Sequence, residues 1–169
     1  MGSGRFAAPL GVWLGVDPAR PMLRLAKVRG VEVAEGVGER LPFRSDSMDT
    51  ALLVVTLCFV EDPLAVIAEA ARVARRVVSC IVPKGSSWGR LYESRRMVSP
   101  FYKHARFYSI AEVAEMYRVV GLGLEGCVST LYEPPPGPSE PVEPRRECAE
   151  EAGFVCLMGV KRSAVATTG

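Results

Sequence analysis

At 169 residues the chain is long enough to bury the core of one domain, and its 49% hydrophobic and 24% charged residues exclude a disordered chain. The net charge of +2 is too small to predict nucleic acid as a partner, and the arginines, Arg72 included, are scattered as on solvated faces. No run of 18 apolar residues and no leader pattern occurs, so we expect a cytoplasmic protein with no membrane partner.

The cysteines and the histidine predict neither a disulfide framework nor a metal site. Five is an odd number, and no C-x-x-C pair occurs among Cys58, Cys80, Cys127, Cys148 and Cys156. Three of them lie within apolar runs, so we expect buried, reduced thiols. His104 is the single histidine, and ligands for zinc would have to come from distant positions. We therefore predict no metal.

The chain opens on a glycine-rich turn at residues 2–6, of the kind that normally follows a buried strand and brings the backbone close to a ligand. Beyond it, apolar runs alternate with helical spacing, which predicts a parallel sheet covered by helices. The predicted helices begin near Pro18, after Asp62 and after Ser109, where Glu112 completes a capping box. The predicted strands cover residues 12–16, 31–34, 50–57, 77–82, 122–131 and 153–160.

The domain organisation follows from the same pattern. We predict one domain over residues 1–162 and a frayed tail at 163–169. Residues 86–108 lose the regular spacing and carry aromatic side chains among charges, so they form the expected substrate-side segment. Residues 133–138 are rich in proline and predict a stiff, exposed loop.

Candidate binding residues gather where the predicted strands end, which is where open α/β sheets bind ligands. Residues 2–4, Asp17 and residues 36–39 meet there in this interpretation. The two oxygens of Asp17 can accept hydrogen bonds from both hydroxyls of a ribose. The alternative is that Asp17 only caps the helix beginning near Pro18.

Four stretches in a fixed order, at residues 2–6, 15–23, 39–43 and 47–49, make the chain resemble the class I S-adenosylmethionine-dependent methyltransferases of the small-molecule branch. The resemblance extends from Gly2 to about Arg162. Residues 86–93 and 99–109 are also similar to a narrower group of bacterial and archaeal methyltransferases. The resemblance carries no substrate.

What the resemblance implies is a Rossmann-like, doubly wound, mostly parallel sheet with an antiparallel C-terminal strand, and S-adenosylmethionine as cofactor. The two glycines match the turn that lies against the methionine part of the cofactor, and Asp17 matches the residue that holds the ribose. The residues at the other strand ends match those that contact the sulfonium and the adenine. The implied cofactor residues are Gly2, Gly4, Asp17, Pro18, Met22, Gly38, Glu39, Thr56 and Leu57. Val37 departs from the family, since many relatives have an aspartate there.

In the family pattern a further strand precedes the glycine-rich turn. The residues that would form this strand would lie upstream of Met1. That strand would be central, between the strands ending at Asp17 and Thr56. Each buried, unsatisfied backbone group costs about 1–3 kcal/mol, against a typical total stability of about 5–15 kcal/mol. We therefore expect that Met1 is an internal or misassigned start and that the functional protein carries roughly 40 more residues.

The expected activity is methyl transfer from S-adenosylmethionine to an unidentified small-molecule acceptor. The alternatives are a non-catalytic partner subunit or truncated inactive fragment and, less favoured, an NAD(P)-dependent oxidoreductase. A homodimer is also expected. For Phe59, Trp88 and Tyr92 the alternative role is packing, and for His104 the alternative is a surface position. No catalytic base is assigned. The acceptor-side candidates are Phe59, Trp88, Tyr92, Tyr102, His104 and Tyr108.

Overall fold

The computed structural model describes residues 1–162, and the predicted tail lies outside the described residues. Strands and helices alternate as the sequence predicts. The strands are β1 (Leu14–Asp17), β2 (Glu32–Glu35), β3 (Met48–Val54), β4 (Ala74–Ile81), β5 (Leu122–Thr130) and β6 (Phe154–Lys161). The α-helices are α1 (Arg20–Val28), α2 (Pro63–Val73), α3 (Ser87–Ser94) and α4 (Ile110–Val119), with 3-10 turns at Ala8–Leu10 and Leu57–Phe59. None of the helices within residues 1–162 has both the length and the apolar character needed to cross a membrane.

The strands form two sheets. In the first, β1 and β2 pair in parallel. In the second, the order is β3-β4-β6-β5, with β3 parallel to β4 and β6 antiparallel to both its neighbours. The α/β fold with an antiparallel last strand is therefore confirmed. Among residues 1–162 no strand joins β1 to β3, so the chain has two sheets rather than one.

The main core lies where α2 and α4 pack on the four-stranded sheet. Tyr117 of α4 is fully buried there, and its hydroxyl lies 3.1 Å from the carbonyl oxygens of both Val77 and Leu157. Burial raises the pKa of this phenol to about 12. Its ring covers Gly159, where a Cβ atom would come 2.6 Å from the ring. This helix therefore contacts the sheet so closely that glycine is required beneath it.

Two helix starts agree with their sequence signals. The Ser109 side chain accepts a hydrogen bond from the Glu112 backbone, and the Glu112 carboxylate accepts one from the Ser109 backbone, so the capping box is confirmed. The Asp62 carboxylate accepts a hydrogen bond from the backbone N–H of Ala65 at 3.0 Å, as a helix cap should. Both signals are local, which is why the sequence predicts them well.

The strand predicted over residues 50–57 is too long at its C-terminal end. The strand β3 ends at Val54, and Val55 has a φ of 50°, in the left-handed region. Leu57 and Cys58 follow in a 3-10 turn and are buried. The apolar run predicts a longer strand because these side chains are buried, although they reach the core from a turn. Sequence composition does not distinguish apolar residues buried in a strand from apolar residues buried in a turn.

The prediction of reduced thiols is wrong for four of the five cysteines. Cys80 and Cys156 lie opposite one another on β4 and β6 and form a disulfide. Cys127 of β5 forms a second one with Cys148, while Cys58 is free and buried. The paired cysteines are 76 and 21 residues apart, and only the fold and the register of the strands bring them together.

Candidate active site

The carboxylate of Asp17, at the end of β1, holds the glycine-rich turn. Its Oδ2 atom accepts a hydrogen bond from the backbone N–H of Gly2 at 2.6 Å and lies 3.3 Å from the Met1 ammonium. Its Oδ1 atom accepts one from the backbone N–H of Ala19 at 2.9 Å. The N-cap of α1 is Ala19, so Asp17 is not the N-cap residue itself, but it supports the start of the helix through the Ala19 N–H and holds Gly2 as well.

The environment of Asp17 favours its ionised form. Partial burial of the carboxyl opposes ionisation, but the hydrogen bonds from Ala19 and Gly2 and the charge of the Met1 ammonium outweigh it, so the pKa of Asp17 is lowered. Two carboxylate oxygens offer about four acceptor positions. The side chain is 14% exposed. Three of these positions already accept hydrogen bonds, from the Gly2 and Ala19 backbones and from the Met1 ammonium. Asp17 thus carries a negative charge and retains capacity for about one hydroxyl of a ligand.

Gly2 and Gly4 differ in what surrounds them. Their φ angles are 67° and 74°, which favour glycine. A Cβ atom on Gly4 would lie 3.1 Å from the Cβ of Ala26, so Gly4 lets the turn pack closely on α1. A Cβ on Gly2 would meet no atom within 4 Å. The space beside Gly2 is open next to an ionised carboxylate, and the turn therefore fits a ligand that carries hydroxyl groups.

Two of the other predicted cofactor residues on this side follow Asp17 directly. Pro18 is exposed, and Met22, in the first turn of α1, is 39% exposed. Both side chains are accessible at the end of β1, where the resemblance places the adenine border.

The loop after β2 carries the predicted residues Gly38 and Glu39. Gly38 packs against α2, since a Cβ there would lie 3.1 Å from a methyl group of Val66. Val37 and Arg40 pair across the tip of this loop, and Val37 is 45% exposed. Gly38 therefore has a packing role in addition to the cofactor role that the resemblance implies.

An ion pair on α2, not predicted from the sequence, fixes the next part of this loop. The Arg72 guanidinium donates hydrogen bonds to the carbonyl oxygens of Leu41 and Phe43 at 3.1 and 2.9 Å, and to Glu69 at 2.7 Å. Glu69 in turn accepts one from the backbone N–H of Leu41 at 2.8 Å. The Arg72 side chain is still 35% exposed, so it combines a partly solvated position with a role in holding this loop. The i,i+3 spacing of Glu69 and Arg72 was the available signal.

A small apolar cavity lies beyond the ends of β3 and β4. Its lining is Val55, Leu57, Cys58, Ile81, Val82, Phe107 and Tyr108. The Leu57 side chain also belongs to the main core, and the Thr56 hydroxyl donates a hydrogen bond to the Val54 carbonyl at 3.3 Å. Thr56 and Leu57 therefore follow the strand in a turn and do not end it. Burial raises the pKa of the Cys58 thiol to about 12, so this thiol is neutral.

Three aromatic side chains form what we call the aromatic wall, namely Tyr92, Tyr102 and Phe107. The rings of Tyr92 and Tyr102 stack with centroids 4.9 Å apart, and Phe107 lies 6.2 Å from Tyr92. Phe107 also lines the cavity, so the wall continues from it. Burial and the neighbouring Tyr102 raise the pKa of Tyr92, which keeps this phenol protonated.

The remaining acceptor-side candidates divide between cavity and surface. Tyr108 lines the cavity, is buried, and has the Arg106 guanidinium 5.2 Å from its ring centre. Phe59 is 53% exposed, so core packing is excluded for it. His104 is exposed on the segment that precedes Phe107. The structure thus places Tyr92 and Tyr102 together in the aromatic wall, Tyr108 in the cavity lining, and His104 outside that lining.

Trp88 has a different role from the other aromatic residues. Its indole N–H donates a hydrogen bond to the carbonyl oxygen of Glu133 at 3.0 Å. Cβ atoms on Gly137 and Gly153 would run into its ring, so both glycines lie against it. Trp88 therefore anchors the proline-rich loop, which agrees with the packing alternative.

Comparison with known proteins identifies the class to which this fold and site belong. Residues 1–82 match the family model described as a methyltransferase domain. A Thermotoga maritima structure, described as a SAM-dependent methyltransferase and possible histamine N-methyltransferase, is 38% identical, with a TM-score of 0.90 over 95% of this chain and 79% of that one. The chain belongs to the S-adenosylmethionine-dependent methyltransferases, with the class I α/β fold. The cofactor of this family is S-adenosylmethionine, so the predicted family, fold and cofactor are confirmed.

Two further relatives are of similar identity. An uncharacterized protein of Mycobacterium tuberculosis is 37% identical over 96% of this chain and 59% of its own length. An uncharacterized protein of Methanocaldococcus jannaschii is 36% identical over 79% of this chain and 66% of its own length. The chain spans about three fifths of the length of the mycobacterial relative.

Proposed function

We propose that the chain binds S-adenosylmethionine through Gly2 and Asp17 and catalyses methyl transfer to a small-molecule acceptor near the cavity at the ends of β3 and β4. The observation that carries the proposal is the Asp17 carboxylate, which is ionised, partly exposed and hydrogen-bonded to the Gly2 backbone at 2.6 Å. Charge-assisted hydrogen bonds of this kind contribute about 1.5–3 kcal/mol each.

S-adenosylmethionine, when bound, supplies a methyl group already activated by its positive sulfur. The protein then has to align an acceptor atom with that methyl group and keep water away. The buried, apolar lining at Leu57, Cys58 and Phe107 serves the exclusion of water. Gly2 allows the backbone to approach the cofactor, Gly4 lets the turn pack on α1, and Asp17 orients the cofactor through the ribose.

The aromatic wall supports a role in acceptor binding. The faces of Tyr92 and Tyr102 carry partial negative charge, which favours a cation or an apolar ring beside them. Because the Thermotoga relative is described as a possible histamine N-methyltransferase, histamine is the first acceptor to test. Other small amines and phenols complete the acceptor panel.

Calorimetry with S-adenosylmethionine tests the proposed binding. We expect a dissociation constant near micromolar, which corresponds to about −8 kcal/mol. The substitution Asp17→Ala should weaken binding roughly ten- to a hundredfold, because one charge-assisted bond is lost. Unchanged affinity in a folded variant would show that the ribose is held elsewhere.

Two controls separate binding from folding. Asp17→Asn keeps the size of the side chain and one acceptor oxygen, so it should retain the fold and lose affinity. Glu35→Ala removes a carboxylate at the end of the neighbouring strand β2, where Glu35 pairs with Arg20 at 2.9 Å, and should leave affinity unchanged. Competition by NAD in place of S-adenosylmethionine would favour the oxidoreductase alternative. Cofactor binding without methylated product across the acceptor panel would favour the partner-subunit alternative.

A further inference from the structure

Two exposed segments of this chain carry opposite charge. Residues 90–106 contain five basic residues and one acidic residue, and we call residues 95–104 within them the basic tip. Residues 133–151 contain six acidic residues and two basic ones, and we call this segment the acidic loop. The net charge of the whole chain is only +2, so this separation is a local property of the two segments.

The basic tip presents apolar side chains to solvent. Met97, Val98 and Phe101 are 94%, 81% and 79% exposed, far more than large apolar residues in the core. The tip is folded into turns, with the backbone N–H of Val98 donating to the Arg95 carbonyl at 3.1 Å. Its base is fixed by the stack of Tyr102 on Tyr92. A fixed base with an exposed apolar end is typical of a contact surface.

The acidic loop is held in place and yet packs little. The disulfide Cys127–Cys148 closes its C-terminal part, and Ser129 and Arg145 exchange two backbone hydrogen bonds of 2.8 Å. Nevertheless residues 139–148 are all exposed, Val142 among them at 43%. The loop therefore displays a carboxylate-rich surface from a constrained backbone, which reduces the entropy lost on binding.

The charges of the two segments are only partly neutralised within one copy, where Arg96 pairs with Glu93 and Arg145 with Glu147. Among residues 1–162, Arg95 and Lys103 in the tip make no ion pair, and neither do Glu140 and Glu143 in the loop. The segments nevertheless start close together, because Trp88 of α3 contacts the loop at Glu133 and α3 leads into the tip. One copy thus carries both complementary surfaces side by side.

We propose that the basic tip of one copy docks on the acidic loop of a second copy, and that a two-fold axis repeats this contact twice in a dimer. Opposite charges fix the register of such an interface, and the exposed Met97, Val98 and Phe101 are covered by Val142 and the prolines of the loop. Symmetry satisfies both surfaces at once, since each copy contributes one tip and one loop.

A second copy suits these surfaces better than an anionic lipid bilayer. A bilayer would attract the tip, but it would repel the carboxylates of the acidic loop that begins beside it. The partner's loop would lie next to Tyr102 of the aromatic wall, so the dimer borders the acceptor side of the cavity. The proposal itself depends on charge and exposure and holds whether or not the chain is an active methyltransferase.

Charge-reversal variants test the proposed dimer, and sedimentation velocity and light scattering measure its oligomeric state. The unchanged chain should be dimeric and should dissociate as salt is raised, because the contact is electrostatic. The variant Arg95→Glu/Lys103→Glu and the variant Glu140→Lys/Glu143→Lys should each raise the dimer dissociation constant at least about tenfold, since like charges then face one another. An equimolar mixture of the two variants should form a heterodimer, and all four substitutions in one chain should restore the homodimer.

Matched controls keep the result specific. Lys27→Glu and Val28→Ser change an exposed cation and an 87% exposed apolar residue on α1, outside both segments, and should leave the dimer intact. Met97→Ser/Phe101→Ser should weaken it. A chain that is monomeric throughout, a dimer unaffected by either charge reversal, or a mixture that stays monomeric would overturn the proposal. Cofactor affinity, measured by calorimetry, reports separately on the proposed function.

Discussion

The two sheets of this chain differ in how they are stabilised. The four-stranded sheet is packed by α2 and α4 around a core of 15 buried residues, and one disulfide joins β4 to β6. The two-stranded sheet has a cluster of three buried residues, Ala7, Ala26 and Val31. All four residues of β2 are exposed or half-buried. Most of the hydrophobic free energy of folding therefore belongs to the four-stranded sheet.

The proposed cofactor residues lie mainly on the weaker of the two sheets. Gly2, Gly4 and Asp17 contact β1 and α1, whereas the cavity and the aromatic wall border the four-stranded sheet. Regions with few buried apolar contacts open at low free energy. Binding of a cofactor there would stabilise that part of the chain selectively. The more stable part of the molecule is therefore not the part in which we propose that the cofactor binds.

The largest expected effect is on the four-stranded sheet. Replacing Cys80 and Cys156 by alanine opens a loop of 76 residues and should lower the free energy of unfolding by about 4.5 kcal/mol. The same change at Cys127 and Cys148, 21 residues apart, should cost about 3.3 kcal/mol. Urea unfolding measures both. Equal losses, or none, would show that the disulfides do not act by constraining the unfolded chain.

Hydrogen exchange directly measures the difference in local stability between the two sheets. Amides of β1 and β2 should exchange on the order of a hundredfold faster than those of β4 and β6, because their local opening needs less free energy. Saturating S-adenosylmethionine should slow exchange in β1 and leave β4 unchanged. Equal protection of the amides in all six strands would contradict a difference in stability between the two sheets.

Two glycines in the same turn isolate a packing effect on the two-stranded sheet. Alanine in the left-handed region costs about 1–2 kcal/mol, and this cost applies to Gly2→Ala and Gly4→Ala alike. Gly4→Ala should lower the free energy of unfolding further, since its methyl group would lie 3.1 Å from the Cβ of Ala26. Urea unfolding of the two variants gives the difference. If Gly2→Ala proves equally costly, the packing of the turn on α1 is not the cause.

The smallest expected effect is a pH dependence on α4. The hydrogen bond from the Ser109 backbone, with the Lys84 ammonium nearby, lowers the pKa of Glu112 from 4.5 to about 2. Its stabilising contribution is therefore complete above pH 4.5 and is lost as the pH falls through about 2. Glu112→Gln keeps the capping geometry and should flatten the acid branch of the curve of unfolding free energy against pH. Glu115→Gln, on the same helix but outside the capping box, should flatten it less.

Local signals account for most of what the sequence predicts correctly. The capping box at Ser109 and Glu112 and the Asp62–Pro63 start define helices within a few residues, so no distant contact is needed. The position of Asp17 at a strand end follows from the same kind of reasoning, and Asp17 is the last residue of β1.

Features that depend on distant contacts were missed. The pairing of Cys80 with Cys156 and the contact of Trp88 with Glu133 depend on the register of strands and on loop packing. The end of β3 at Val54 was hidden by buried residues in the following turn. The fixing of the loop after β2 by Arg72 needed a partner 31 residues away, at Leu41. Composition and spacing carry no trace of such contacts.

The conformation of Val55 has a consequence for the cavity that this residue lines. A β-branched residue at a φ of 50° costs about 1–3 kcal/mol and persists only when its surroundings fix it. Here its backbone N–H donates a hydrogen bond to the Cys80 carbonyl at 2.8 Å, which ties the bend to the disulfide-linked strand. The direction in which Thr56 leaves β3 is thus set before any ligand arrives. In engineering terms, Val55→Gly would relieve the strain and give up this preorganisation, so thermal stability would be gained at the cost of a fixed cavity wall.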